Sequence, residues 1–241
     1  MNGLTNEENE RYAANLALCE IDLPGQQKLK SASVLVCGAG ALASPVLLYL
    51  AAAGVGTLGI ADGDRVSLGN LQRQIVHRTD SVGRLKTESA EAAVKALNPG
   101  VKVRLHNVML TADNIAEVAS AYDLLIDCTD NYPTRLMLSD AAAALAKPLC
   151  FAAVSRFEAQ LTTQLPGSRL YREIFPEAPT SEQINCSSCV NSGVLNAVAG
   201  VAGAMQAAEA IKLITGVGEP LINRLLLIDL LTFKFTTIRL Q

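Results

Sequence analysis

Histidine is scarce in this sequence: His77 and His106 are the two occurrences in 241 residues. No histidine-built metal cluster is therefore expected. Basic runs are missing too. Lys and Arg total 20 against 23 Asp and Glu, giving a net charge of −3 and a pI ≈ 5.5. Nucleic acid and anionic membrane surfaces are poor partners for such a chain. The opening stretch MNGLTNEENERY is polar, without the apolar run of a secretory signal. No internal repeat is visible. Six cysteines are scattered, Cys19, Cys37, Cys128, Cys150, Cys186 and Cys189. Cys37, Cys128 and Cys150 fall in or beside apolar runs, where a free thiol acts as a small hydrophobe. A reducing cytoplasm is the expected compartment.

Long membrane-spanning runs are also lacking. The apolar stretch Ala41–Ala53 is too short to cross a bilayer, and Gly193–Ile214 carries Asn196, Gln206, Glu209 and Lys212. Both read as buried helices. Half of the residues are apolar, enough for a sizeable core in one large domain or one domain with appendages.

What is present is organised around Ser33 to Asp64. Val34-Leu35-Val36-Cys37 reads as a buried strand. Gly38-Ala39-Gly40-Ala41-Leu42-Ala43 follows, then an apolar helix over about 41–53, a Gly54-Val55-Gly56 turn, and a strand from Thr57 to Ala61 that ends on Asp62. This order suits a nucleotide. Gly38 makes the tight turn and Gly40 lets backbone approach a phosphate. The helix start presents open N–H groups to an anion. Asp62, about 20 residues further on, is placed for ribose hydroxyls. Ala43 at the third glycine position still permits close helix–strand packing.

The remaining chain alternates strands and helices. Thr5-x-x-Glu8 reads as a capping box opening a helix to about Leu18, broken by Leu23-Pro24-Gly25 and followed by a helical piece around 26–30. The polar stretch 64–74 belongs at a carboxyl end of the sheet, making Asn70, Arg73 and Gln74 site candidates. Lys86 opens the helix ending at Leu97, where a cation is misplaced against the helix dipole unless an anion is near. Strands are expected over Lys102–Val108, at Asp123–Asp127 and over Leu149–Val154, with helices over 111–121 and 134–146 between them. Asp127 and Asp130 suit Mg or hydroxyl groups, while Asp130-Asn131 equally suits a helix cap. Alternation of this kind implies a Rossmann-like, doubly wound, mainly parallel α/β sheet. Beyond Ser155 the pattern changes to an antiparallel strand at 158–164, a long irregular connection, a small-residue helix over 193–216 and two terminal strands, 224–230 and 233–240.

Together these residues resemble the MoeB/ThiF/HesA family of ubiquitin-activating-like adenylyltransferases. The resemblance rests on GAGALA at 38–43, Asp62-x-Asp64, Ser67-Leu68-x-Asn70-Leu71-Gln72-Arg73-Gln74, Val82-Gly83-x-x-Lys86, Asp127-Cys128-Thr129-Asp130-Asn131, and Gln206-Ala207-x-Glu209-Ala210-Ile211-Lys212. It implies one adenylation domain over 1–241: a helical arm at 1–30, a nucleotide-binding core at 31–154, an antiparallel strand and mobile crossover loop at 155–192, and a long helix with terminal strands at 193–241. It implies ATP with Mg, and adenylation of the C-terminal glycine of a small ubiquitin-like sulfur carrier, releasing pyrophosphate. By this resemblance Asn70, Arg73 and Lys86 contact phosphates, with Gln74 and Asn131 beside them. Asp130 holds Mg, Asp62 the ribose, and Gly38 and Gly40 shape the loop. Members are typically homodimers.

The sequence departs from the family in four places. Arg11-Tyr12-Ala13-Ala14 lacks a second arginine at Ala14. Ala41 replaces the usual middle glycine. Leu170 and Glu173 stand where the first zinc-binding cysteine pair falls, so no zinc is expected. Cys189 matches a loop cysteine that some relatives use covalently, and Cys186 makes it a CxxC. Either a nucleophile or a structural or redox pair fits there. Alternative readings are a weakened family member that serves another subunit, adenylation of a non-protein carboxylate, and a nicotinamide-dependent oxidoreductase. NLQRQ and DCTDN would have no task in the last.

Overall fold

A computed structural model of the chain describes residues 3–176 and 193–240. Its centre is one eight-stranded sheet. The strands are β1 (Ser33–Cys37), β2 (Thr57–Ala61), β3 (Lys102–His106), β4 (Leu124–Asp127), β5 (Leu149–Ser155), β6 (Glu158–Gln164), β7 (Arg224–Asp229) and β8 (Lys234–Arg239). Their spatial order is β3-β2-β1-β4-β5-β6-β7-β8. β3 through β5 pair in parallel, and β6, β7 and β8 extend the sheet antiparallel. This is the architecture expected from the sequence.

The alternation of side chains along β1 explains the layers. Val34 and Val36 face a core shared with α3 (Asp22–Ser31), α4 (Ala43–Ala53), α5 (Lys86–Leu97) and α9 (Asn196–Thr215). Leu35 and Cys37 face the opposite core, shared with α6 (Ile115–Ser120) and α7 (Tyr132–Ala144). Leu35, Leu47, Leu50, Leu58 and Leu125 are fully buried, each contributing roughly 1.5–3 kcal/mol. Helices on both faces are why the central strands are apolar throughout rather than alternating.

Several element boundaries differ from expectation, each for a local reason. The capping box at Thr5 forms, but the first helix divides at Tyr12 into α1 (Asn6–Arg11) and α2 (Ala13–Leu16). Tyr12 is buried against Gly54 and receives a hydrogen bond from Asn98. Leu23-Pro24-Gly25 does not interrupt helix. α3 starts at Asp22 and takes Pro24 into its first turn, where a missing N–H costs nothing. α4 starts two residues later than expected, after a turn at Ala41-Leu42, while α5 starts at Lys86 as expected.

α9 is long and apolar enough to cross a membrane, yet here it lies across α4 and the sheet. Gly203 makes that contact. A Cβ there would sit 2.4 Å from the Leu42 carbonyl oxygen and 2.5 Å from Pro45. Backbone cannot yield cheaply to such a clash. Gly203→Val should therefore destabilise the protein by roughly 1–3 kcal/mol, read by urea denaturation. Unchanged stability would mean that the helices have room to part.

Candidate functional site

The site forms where strand order reverses, between the carboxyl ends of β1 and β4. This is the position where open α/β sheets bind ligands. Two exit turns meet there. Gly38 leaves β1 with φ +97, and a Cβ on it would lie 2.9 Å from the Cys128 carbonyl oxygen. A side chain would be strained there both by φ and by contact. Gly40 differs: its Cβ would meet nothing closer than Gln74 Nε2 at 3.6 Å. The protein itself does not require glycine at 40.

Between them, Ala39 is buried and held through its backbone. Its N–H donates to Asp62 Oδ2 at 2.8 Å. Its carbonyl lies 2.9 Å from His77 Nε2. The next N–H groups, of Gly40 and Ala41, have no acceptor among the described residues. They stand at the start of α4, as an anion-binding loop requires.

Cations approach from the other side. Lys86 is the first residue of α5 and is buried. Its position is not the uncompensated misplacement that the sequence suggested: Nζ lies 2.7 Å from Asp64 Oδ2 and 4.0 Å from Asp62 Oδ2. Asp64 is largely exposed, at 60%, so this pairing is weak and open to exchange for another anion. Arg73 lines the same cleft and spends one N–H on the Gly69 carbonyl at 3.3 Å. Gln74 is buried, and its Oε1 has no hydrogen-bond partner.

The acidic turn after β4 faces these cations. Asp130 is exposed and lines the cleft with Asn131. Asn131 caps α7, accepting from the Thr134 N–H at 3.0 Å, so the capping reading holds for Asn131 and leaves the Asp130 carboxylate open. Asp127 is no partner for a shared ion. It is fully buried, and its Oδ1 accepts from the N–H and hydroxyl of Thr129 at 2.9 and 2.7 Å. Burial pushes its carboxyl above the ordinary value, against the pull of Arg135. Asp127 shapes the turn and does not line the cleft.

The cleft encloses about 1220 Å³. Of the residues proposed from sequence, Gly38, Gly40, Asp62, Arg73, Gln74, Lys86, Asp130 and Asn131 all line it. Asn70 does not. Its Oδ1 accepts from the Ser67 N–H at 3.1 Å and braces the turn that carries Arg73. Sequence reading missed Arg135, which donates to the Thr129 carbonyl at 3.0 Å, lies over the Phe151 ring and leaves Nε without a partner. An arginine within an ordinary helix stretch carries no signal of its own. The apolar wall at Val108, Met109 and Leu110 and the outer floor at Glu158, Gln160, Asp229 and Lys234 were missed for the same reason.

Cys128 lines the cleft, but burial pushes its thiol well up, as it does for Cys37. Such thiols are poor nucleophiles. Cys186 and Cys189 lie outside the described residues. Among the described residues no group of three or more His, Cys, Asp or Glu side chains has metal-holding geometry. Glu173 accepts from the Leu170 N–H at 2.7 Å, forming the start of α8 (Tyr171–Ile174).

His77 supplies a pH test. Burial pushes its imidazole down, partly offset by the bond to Ala39. The unfolded chain takes up that proton near pH 6.5, while the folded chain resists it to a lower pH. The stability that His77 contributes is thus full above about pH 6.5 and is lost as pH falls through the folded value. His77→Gln, which does not titrate, should lose less stability than the parent between about pH 7 and pH 5. Equal losses in paired denaturation curves would exclude this assignment.

Comparison with known proteins agrees with this architecture. The ThiF family model matches residues 12–241. Over 232 residues the chain is 47% identical to Adenylyltransferase and sulfurtransferase MOCS3-2 of Zea mays, covering 96% of this chain and 48% of that one. Over 243 residues it is 42% identical to Probable adenylyltransferase/sulfurtransferase MoeZ of Mycobacterium tuberculosis, covering 99% and 62%. It is also 42% identical over 243 residues to the Sulfur carrier protein adenylyltransferase of Thermus thermophilus, covering 98% and 89%. The chain thus spans about half the length of the maize relative. A solved structure of E. coli MccB with ATP superposes with a TM-score of 0.84 at 24% identity, covering 98% of this chain and 72% of that one; this likeness is one of fold. On the family match and these identities, the chain belongs to the ThiF family.

Proposed function

We propose that this chain is an ATP-dependent adenylyltransferase that activates the C-terminal glycine carboxylate of a small ubiquitin-like sulfur carrier. One observation carries the reading. A single cleft sets the open N–H groups of the glycine loop, Arg73 and Lys86 against the free carboxylate of Asp130. ATP needs donors and cations for its phosphates, and a carboxylate for the metal that accompanies them. The carrier reading is supported by the Thermus relative, a sulfur carrier protein adenylyltransferase.

The reaction forms a bond between a carboxylate oxygen of the carrier and the α-phosphorus. The bond from that phosphorus to its bridging oxygen breaks, and pyrophosphate leaves with the electron pair. There is little covalent work for the protein. Its residues position the reactants and offset developing charge. Gly40 and Ala41 N–H groups, Arg73 and Lys86 face the phosphates. Lys86 exchanges Asp64 for a phosphate oxygen as the nucleotide enters. Asp62 retains lone pairs for ribose hydroxyls while holding Ala39. Mg²⁺ would be held by Asp130 and would supply neutralisation of phosphate charge. The domain plan over 1–241, a cytoplasmic location and a homodimer belong to the same reading. A homodimer would matter because Ala14, exposed on α2, stands where the family sequence offers an arginine.

That substitution favours a second reading, a family member of weakened turnover that serves another subunit. ATP–pyrophosphate exchange separates the two. Exchange should depend on a Gly-Gly carrier and fall roughly 10²–10³-fold in Asp130→Ala, as for loss of a group aimed at transition-state charge, with Arg73→Ala close behind. Unchanged exchange in Asp130→Ala would remove that residue from the chemistry. Weak parental exchange that rises in Ala14→Arg would support the second reading.

A further inference from the structure

The proposed reaction uses neither histidine, yet His77 is almost fully buried beneath the glycine loop. We infer that His77 is a positioning residue: it holds the Ala39 peptide so that the loop presents its N–H groups to an anion. The link to nucleotide rests on the functional reading above; the grip on the loop does not.

The chemistry of the contact fixes its direction. A carbonyl oxygen accepts and never donates, so the Nε2 atom 2.9 Å from the Ala39 oxygen carries the proton. Nδ1, 2.9 Å from Ser89 Oγ, then accepts from that hydroxyl. A peptide is planar and trans, so its C=O and N–H point opposite ways. With the Ala39 carbonyl drawn down to His77, the Gly40 N–H of the same peptide unit must point up, away from the core. That N–H finds no acceptor among the described residues.

A grip is needed because this peptide is easily turned over. It joins Ala39 to Gly40, and its nitrogen belongs to the glycine. With no Cβ on Gly40 to restrict its φ, alternative orientations of this peptide are cheap on that side. Three further links close a ring around it. The Ala39 N–H is taken by Asp62, Asp62 faces Lys86 at 4.0 Å, and Lys86 and Ser89 stand one turn apart on α5. A parallel tie runs through Ser44, whose hydroxyl donates to the Gly40 carbonyl at 2.8 Å and accepts from the Val76 N–H at 3.3 Å. Through this ring, the cation on α5 and the N–H groups of the loop are set relative to each other.

The test compares His77→Leu with His77→Gln in the full chain. Glutamine can bring its Nε2 donor to about the place of the ring Nε2, whereas leucine fills space without a donor. Two readouts are taken: amide hydrogen exchange of residues 38–42 by NMR without nucleotide, and Mg-ATP affinity by calorimetry. His77→Leu should lose protection at the Ala39 amide and bind ATP about tenfold more weakly, equivalent to ~1.4 kcal/mol. His77→Gln should keep the protection and bind within about threefold of the parent, since one neutral hydrogen bond is retained. Intact Ala39 protection in His77→Leu, or equal failure of both variants, would overturn the inference. If the parent binds no ATP, the nucleotide reading falls, and the exchange data still decide the grip on the loop.

Discussion

The Asp62 carboxylate is the junction on which the cleft depends. It follows β2 directly, is nearly enclosed at 10% exposure, and accepts from two backbone N–H groups, of Ala39 and Asp64. One bond reaches across to the turn that leaves β1; the other shapes the stretch that leads to the NLQRQ segment. Its charge also faces Lys86. A buried carboxylate is tolerated only where donors and cations compensate it, and here each compensating group is itself part of the cleft. Strand ends, glycine loop and cation therefore take up their positions as one arrangement.

The cleft has a polarity that follows from this arrangement. One wall carries open N–H groups, Arg73 and Lys86, and the facing turn carries Asp130. Lys86 rests on Asp64, an exposed partner. Such a pair costs little to separate in water, whereas an anion brought into the cleft meets the same cation with less solvent around it. Further out, β6, β7 and β8 widen the floor beyond the parallel sheet, adding Gln160, Asp229 and Lys234. The antiparallel extension thus lengthens the floor of the cleft.

Much of this was legible beforehand, and particular residues show why. Strand–glycine–helix order is a local signal, because a glycine at 38 permits the left-handed turn that other residues resist. Asp130 and Asn131 could be placed at a strand end, though not told apart. Only the side-chain geometry shows Asn131 spent on a cap and Asp130 free. Asn70 and Asp127 were grouped with the ligand residues on proximity in sequence, and both turn inward to brace backbone. Lys86 looked unpaired at its helix start because its partner lies 22 residues earlier. Arg135 and His77 gave no signal, since an isolated charged or aromatic residue, in a helix or in a turn, has no periodicity to betray its task.

The sequence by itself determined the order of elements, the burial of the central strands, the position of the glycine turn and membership of the nucleotide-site pattern. Those features arise from backbone preference and from apolar spacing, which act within a few residues. The tertiary structure decided which polar groups are spent on the protein and which remain open. That choice depends on contacts such as Ala39 with His77 and Asp62, or Arg135 with Thr129, between residues remote in the chain or on different elements. A buried polar group takes whichever partner the fold brings within reach, and no local rule of sequence names that partner.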